Sequence, residues 1–186
     1  MVESPFAVQK FAKMVQSALK ESGQQDEVST AINVETRSGV ACSSEISRAC
    51  RDLGVDAVVV GRGDLTESMD LSRDSVEEEQ VTTALRVALE SARANGLGTG
   101  FGGSVSLRSV RLAMSLCSEG LLDYFETRKV LIDPKGDIVG VERRVANALM
   151  FENDLLEAEF KRSFAVADSA QLRYRRLAEA IAEWRP

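Results

Sequence analysis

Asp56-Ala57-Val58-Val59-Val60-Gly61-Arg62-Gly63-Asp64 holds a continuous apolar run that stops at a glycine and meets an acidic residue three positions later. An apolar run without polar alternation is the pattern of a parallel strand covered on both faces. Immediately upstream, Ile46, Ala49, Cys50 and Leu53 fall at i, i+3, i+4 and i+7, the spacing of a helix face, and Gly54 closes that helix. Before it, Ala31-Ile32-Asn33-Val34-Glu35 reads as another strand. Ser4-Pro5 supplies an N-cap with proline at the first helical position, and Phe11, Val15 and Leu19 predict the face of a helix ending before Ser22-Gly23.

The same alternation continues downstream. Ser75-x-x-Glu78 has the form of a capping box, Val81, Leu85, Ala88 and Ala92 form one face, and Asn95-Gly96 provides the exit. Thr99 to Val105 reads as a glycine-rich strand. Val110, Met114 and Cys117 mark a helix ending at Gly120, and Leu122 to Ile132 reads as one further strand. Between Gly140 and Pro186 there is neither glycine nor proline. Val145, Leu149, Leu156 and Phe160, then Leu172, Leu177, Ile181 and Trp184, predict two helices broken near Ala165 to Ser169. Strands alternating with helices call for an α/β fold with a parallel sheet and right-handed crossovers. Four strands plus a stub at Met1-Val2 fall short of a closed eight-stranded barrel, which takes about 250 residues. The sheet is therefore open or the barrel incomplete, with residues 1–137 as the barrel-like domain and 138–186 as a helical extension.

Composition narrows the chemistry. The 186 residues are 44% hydrophobic and 28% charged, the balance of a globular domain. Lys and Arg total 23 against 29 Asp and Glu, a net charge of -6 with no basic stripe, which argues against nucleic acid as a partner. No apolar run reaches the roughly 20 residues needed to span a bilayer, and the first residues do not resemble a signal peptide. The expectation is a cytoplasmic protein with no membrane partner. Cys42, Cys50 and Cys117 form no C-x-x-C pair and are expected to be buried free thiols. There is no histidine, so every Ser-His or Cys-His nucleophile and every His-containing metal site is excluded. Carboxylates, arginines, hydroxyls and backbone amides are left.

Acidic residues stand at the strand ends: Glu35, Asp64 and Glu126. In a parallel sheet, Glu35 and Asp64 come from the carboxyl ends of successive strands, and two convergent carboxylates without His or thiolate suit a hard cation such as Mg²⁺ or Mn²⁺. The competing reading is that such residues cap helices or face solvent. Asn33 shares the face of Glu35 by the strand period and is placed to orient a ligand or a metal-bound water. Gly100-x-Gly102-Gly103 follows a predicted strand, where it either cradles an anion or allows close packing; packing is favoured, because no phosphate-loop Lys-Ser/Thr follows. Glu-Thr-Arg occurs twice, at 35–37 and 126–128, with Arg37 and Arg128 as ion-paired scaffold or as substrate clamps, unless the repetition is chance.

Ile32-Asn33-Val34-Glu35-Thr36-Arg37, followed by Gly61-Arg62-Gly63-Asp64-Leu65-Thr66-Glu67-Ser68-Met69, resembles the HpcH/HpaI aldolase and citrate lyase β-subunit-like superfamily. In that family a glutamate ends one barrel strand, and a Gly-x-x-Asp-Leu-Ser/Thr-x-Ser-Met segment ends the next. Met1-Val2-Glu3-Ser4-Pro5 is similar to the family's fourth strand. The resemblance covers residues 1–133 and implies a partial (β/α)₈ TIM barrel, strands 4 to 8, followed by C-terminal helices. It implies Mg²⁺ or Mn²⁺ bound through Glu35 and Asp64. It also implies a 2-oxo acid or acyl-CoA substrate whose carboxylate meets the backbone amides of Gly63 and Asp64. The implied chemistry is carbon-carbon lyase or aldolase chemistry through a Lewis-acid-stabilised enolate, in a protein that forms homo-oligomers.

The sequence departs from the family in several places. The first three strands are absent, together with the arginine that contacts the enolate oxygen and the early-loop histidine of the aldolase branch. Arg62 stands where that branch often has proline, and Asn33 where it often has glutamine. No residue is assigned as general base. Two readings follow: the metal-binding half of a carbon-carbon lyase, with Met1 an internal methionine of a longer product or with another chain supplying the missing strands, or a non-catalytic remnant acting as a binding or assembly module.

Overall fold

The computed structural model describes residues 2–23 and 28–183. The element order is α1 (Pro5–Ser22), β1 (Ala31–Val34), α2 (Arg37–Ala41), α3 (Ser43–Leu53), β2 (Ala57–Gly61), α4 (Arg62–Glu67), a 3-10 turn at Arg73–Ser75, α5 (Glu79–Ala94), β3 (Gly98–Gly102), α6 (Ser109–Ser118), β4 (Tyr124–Glu126), β5 (Leu131–Ile132) and α7 (Ile138–Glu183). The sheet runs in sequence order, β1-β2-β3-β4-β5. β1 to β4 are parallel, as the apolar run at Val58-Val59-Val60 predicted. The fold class is the expected α/β one.

One face of the sheet carries the core. Ile32, Val34, Val58, Val60, Phe101 and Phe125 are buried under the helices, where they meet Val8 of α1, Ile46 and Cys50 of α3, Leu85 and Leu89 of α5 and Leu116 of α6. Caps hold the helices in place. Ser4 Oγ accepts the Ala7 amide, and Gly23 and Gly54 take left-handed conformations at the ends of α1 and α3. The chain divides into two compact units, Met1–Ala148 and Leu149–Pro186. In the first, Val141, Val145 and Ala148 bury the start of α7 in the core. In the second, Leu156 and Phe160 are exposed, and the Phe160 and Phe164 rings lie 6.2 Å apart.

Several sequence expectations are corrected. The buried face of α1 is centred on Val8 and Ala12, one step from the stripe at Phe11, Val15 and Leu19, because it must meet α3. The capping box at Ser75 does not form. Ser75 ends the 3-10 turn, and α5 begins at Glu79 with no side-chain cap. The single strand expected from Leu122 to Ile132 is a hairpin, in which β5 returns antiparallel to β4. Its turn is made by Thr127 Oγ1, which accepts the Lys129 and Val130 amides. α7 runs through the expected break near Ala165 to Ser169, since that stretch contains no helix breaker. Val2 is not in a strand, while Met1 and Trp184 lie outside the described residues. Of the three free cysteines Cys50 is buried, Cys117 half-buried and Cys42 exposed, so the expectation of buried thiols fails for Cys42. Among the described residues, no helix is long and apolar enough to cross a membrane.

Candidate active site at the carboxyl ends of the parallel strands

The register aligns chemistry on the face of the sheet opposite the core. Asn33 pairs with Val59, Val59 with Gly100, and Gly100 with Tyr124. One strand period further on, Glu35, Gly61, Gly102 and Glu126 form the next row on the same face. Each acidic side chain in this row lies across a neighbouring glycine. A Cβ at Gly61 would stand 2.7 Å from Glu35 Cγ, and one at Gly102 would stand 3.0 Å from Glu126 Cγ. A Cβ at Gly100 would likewise meet the Tyr124 ring at 2.7 Å. The glycines of β3 therefore serve close approach, the packing reading of Gly100-x-Gly102-Gly103.

Glu35 is held on both sides. Asn33 Nδ2 donates to Glu35 Oε1 at 3.3 Å, as the shared strand face predicted. The Glu35 amide donates to Glu3 Oε1 at 2.7 Å, and the Thr36 hydroxyl donates to Glu3 Oε2. Thr36 Oγ1 also accepts the Gly39 amide and caps α2. Both Glu-Thr-Arg repeats thus do the same work. The glutamate rides over a glycine of an adjacent strand, β2 for Glu35 and β3 for Glu126, and the threonine oxygen organises the turn that follows. Neither Arg37 nor Arg128 makes an ion pair among the described residues, so the scaffold reading of these two arginines is not observed.

Asp64 lies in the first turn of α4, at the end of the strand next to Glu35. Its carboxylate is exposed and accepts from Arg73 Nη2 at 2.8 Å, while Arg73 also pairs with Glu67. Glu35 and Asp64 thus stand at the carboxyl ends of adjacent strands, with the Asp64 carboxylate paired to Arg73. Gly63 is buried, and Gly103 packs so closely against it that a Cβ on Gly103 would lie 2.5 Å from Gly63 N.

Behind this surface lies a group that sequence reasoning passed over. Arg62 is 0% exposed. Its guanidinium donates to Glu77 Oε1 at 3.0 Å, to Ser109 Oγ at 3.0 Å and to the Gly103 carbonyl at 3.3 Å, and it stacks on Phe101 at 4.4 Å from the ring centroid. Burial lowers the pKa of Arg62, and Glu77 opposes that shift. This buried cation ties the Gly61–Asp64 turn to the loop after β3, where Gly103 (φ 82°) and Ser104 (φ 52°) both sit in the left-handed region. The replacement of a proline by arginine was the only sequence signal for it, and the partners Glu77 and Ser109 gave none.

On the far side of the row, burial raises the pKa of the Glu126 carboxyl. Burial, then the charges of Glu126 and Asp123, raises that of the Tyr124 hydroxyl. Among the described residues, no group of three or more His, Cys, Asp or Glu side chains is gathered in the manner of a metal site. A divalent cation here would take two protein carboxylates, Glu35 and Asp64, and complete its shell with water and ligand oxygens. The donor set fits such an ion: oxygen only, Glu35 fixed over Gly61, and Asp64 held by an exposed pair that is easily exchanged.

Comparison with known proteins bears on this arrangement. The sequence matches the HpcH/HpaI aldolase/citrate lyase family over residues 1–101. No curated protein matches it. Among solved structures, the citrate synthase SbnG is similar, with a TM-score of 0.53 at 16% identity over 84% of this chain and 62% of that one. An HpcH/HpaI aldolase/citrate lyase family protein from Burkholderia cenocepacia J2315 gives 0.52 at 17% identity, over 82% and 63%. The chain spans under two thirds of either structure. At these identities the likeness shows the fold, and this chain carries part of the barrel.

Proposed function

The chain belongs to the HpcH/HpaI aldolase/citrate lyase family, and from that premise we propose that it carries the divalent-metal site of a carbon-carbon lyase acting on a pyruvate-type 2-oxo acid or an acyl-CoA. The observation that carries the reading is Glu35, fixed by Asn33 over Gly61 beside the strand end that bears Asp64. Glu35 and Asp64 would hold Mg²⁺ or Mn²⁺. Such an ion supplies Lewis-acid polarisation of a substrate carbonyl and carboxylate.

The chain's own residues do the rest. Asn33 holds the Glu35 carboxylate in place, so that it binds without a search over rotamers. Arg73 keeps Asp64 neutralised until a stronger cation takes the carboxylate. The Arg62 network holds the Gly63 and Asp64 backbone against the β3 loop, which keeps those amides in position for a ligand carboxylate. With a net charge of -6, the protein repels an anionic acid at long range, so attraction to the site must come from the local positive charge there.

Calorimetric titration with Mn²⁺, with and without pyruvate or oxalate, tests the proposal against Glu35→Gln and Asp64→Asn. Saturable binding that tightens with the oxo acid and vanishes in both variants is the expected result. A folded protein that binds neither ion nor acid would refute it and leave the binding or assembly module as the reading to pursue.

A further inference from the structure

Glu126 stands apart from the other acidic residues around the site. Glu35 is engaged by Asn33, Asp64 and Glu67 by Arg73, Glu77 by Arg62 and Ser109, and Asp123 by Arg93. The Glu126 side chain makes no hydrogen bond or ion pair among the described residues, although the residue is half-buried. It also shares the row of Glu35. Each of the two side chains covers a glycine of the adjacent strand, Gly61 under Glu35 and Gly102 under Glu126, and those glycines are register partners. With neighbouring strands about 4.8 Å apart and each side chain folded over its glycine, the two carboxyl groups lie within roughly 12 Å of each other.

Resting on the lyase reading above, we propose that Glu126 is a catalytic residue of this site, the base that takes a proton from the carbon next to the carbonyl of a short 2-oxo acid lying over the row that Glu35 and Glu126 share. The step balances without a further reactant. The carboxylate accepts the proton, the C–H electron pair moves into the bond to the carbonyl carbon, and the carbonyl pair is left on oxygen as an enolate. Returning the proton restores acid and base. Free lone pairs, a position on the ligand-facing side and a pKa raised by burial suit the group to this task. The remaining candidates are spent or out of reach. There is no histidine, Tyr124 is held in its protonated form, and Arg62 is enclosed on the other side of the β3 loop.

The experiment follows pyruvate methyl protons by NMR in D₂O with the full chain and Mg²⁺, beside calorimetric binding of oxalate, for the parent protein and Glu126→Gln. The expected result is exchange slowed at least about 100-fold in the variant, with oxalate binding unchanged. Equal exchange in both proteins, or no exchange in a parent protein that binds oxalate, overturns the role of Glu126 and leaves the metal site standing. Loss of oxalate binding together with exchange in the variant also overturns it, because Glu126 would then hold the ligand. A parent protein that binds neither Mg²⁺ nor oxalate removes the lyase reading itself and this role with it.

Discussion

Removing Glu77 leaves a cation with no route to water. The Arg62 side chain is 0% exposed, and Glu77, itself 25% exposed, is its sole ion-pair partner among the described residues. In Glu77→Ala the guanidinium keeps the Ser109 hydroxyl, the Gly103 carbonyl and the Phe101 ring but loses its counter-charge. Breaking a buried pair on one side typically costs 3–5 kcal/mol, and the three surviving contacts place this case near the lower end, about 3 kcal/mol. For a chain of this size that corresponds to a fall in Tm of roughly 6–12 °C. Arg62→Met removes the charge and keeps the apolar stem volume, while Glu77 can turn to solvent. Its cost should be smaller, about 1 kcal/mol. Urea denaturation of the two single variants and of the double variant separates these terms, and the double variant should be no less stable than Arg62→Met. A Glu77→Ala protein as stable as Arg62→Met, or more so, would refute the reasoning, since the guanidinium would not then need its partner.

Other perturbations report on the site itself. Gly61→Ala places a methyl group where the Glu35 side chain lies, so it should abolish Mn²⁺ binding in calorimetry while the urea midpoint barely moves, because displacing the carboxylate breaks only its one exposed side-chain hydrogen bond, from Asn33. Gly103→Ala, at φ 82° and against the Gly63 backbone nitrogen, has no such relief and should cost about 2 kcal/mol or more in the same denaturation assay. Arg73→Gln removes the competitor for Asp64 and should tighten Mn²⁺ binding several-fold; weaker binding would show that Arg73 supports the site instead. Burial pushes the Cys50 thiol from 9.0 to about 11. The folded state thus favours the neutral thiol, and this contribution is complete below pH 9. It falls away as the pH rises toward 11, by roughly 3 kcal/mol in total, a loss that Cys50→Ala should not show.

The parallel strands were legible because both of their faces are buried or glycine-lined, which leaves an apolar or small-residue run with sharp ends. Gly54 and Gly23 marked helix ends for the same local reason, a left-handed conformation that few other residues accept. What the sequence hid depends on partners distant along the chain. The buried face of α1 is chosen by α3, and α5 begins late because Ser75 is used by the 3-10 turn before it. The hairpin of β4 and β5 was read as one strand because its turn is made by a threonine side chain and contains no glycine. Arg62 was read by analogy as a substituted proline, since its stabilising partners lie 15 and 47 residues away.

The site was legible in its first half only. Asn33 and Glu35 share a face by strand period, and that local rule sufficed to place one beside the other. Asp64 could be assigned to a strand end, but its pairing with Arg73 spans nine residues across an irregular segment without periodicity. The pairing of each glutamate with a glycine is a register effect. It requires that Val34 face Val60 and Phe101 face Phe125, so that Glu35 falls on Gly61 and Gly102 on Glu126. In sequence, these residues are an unremarkable set of two acids and two glycines. In the sheet each acid folds over the glycine beside it, and a side chain at either glycine would displace it. Here the glycines, more than the acids, decide where the two carboxylates come to rest.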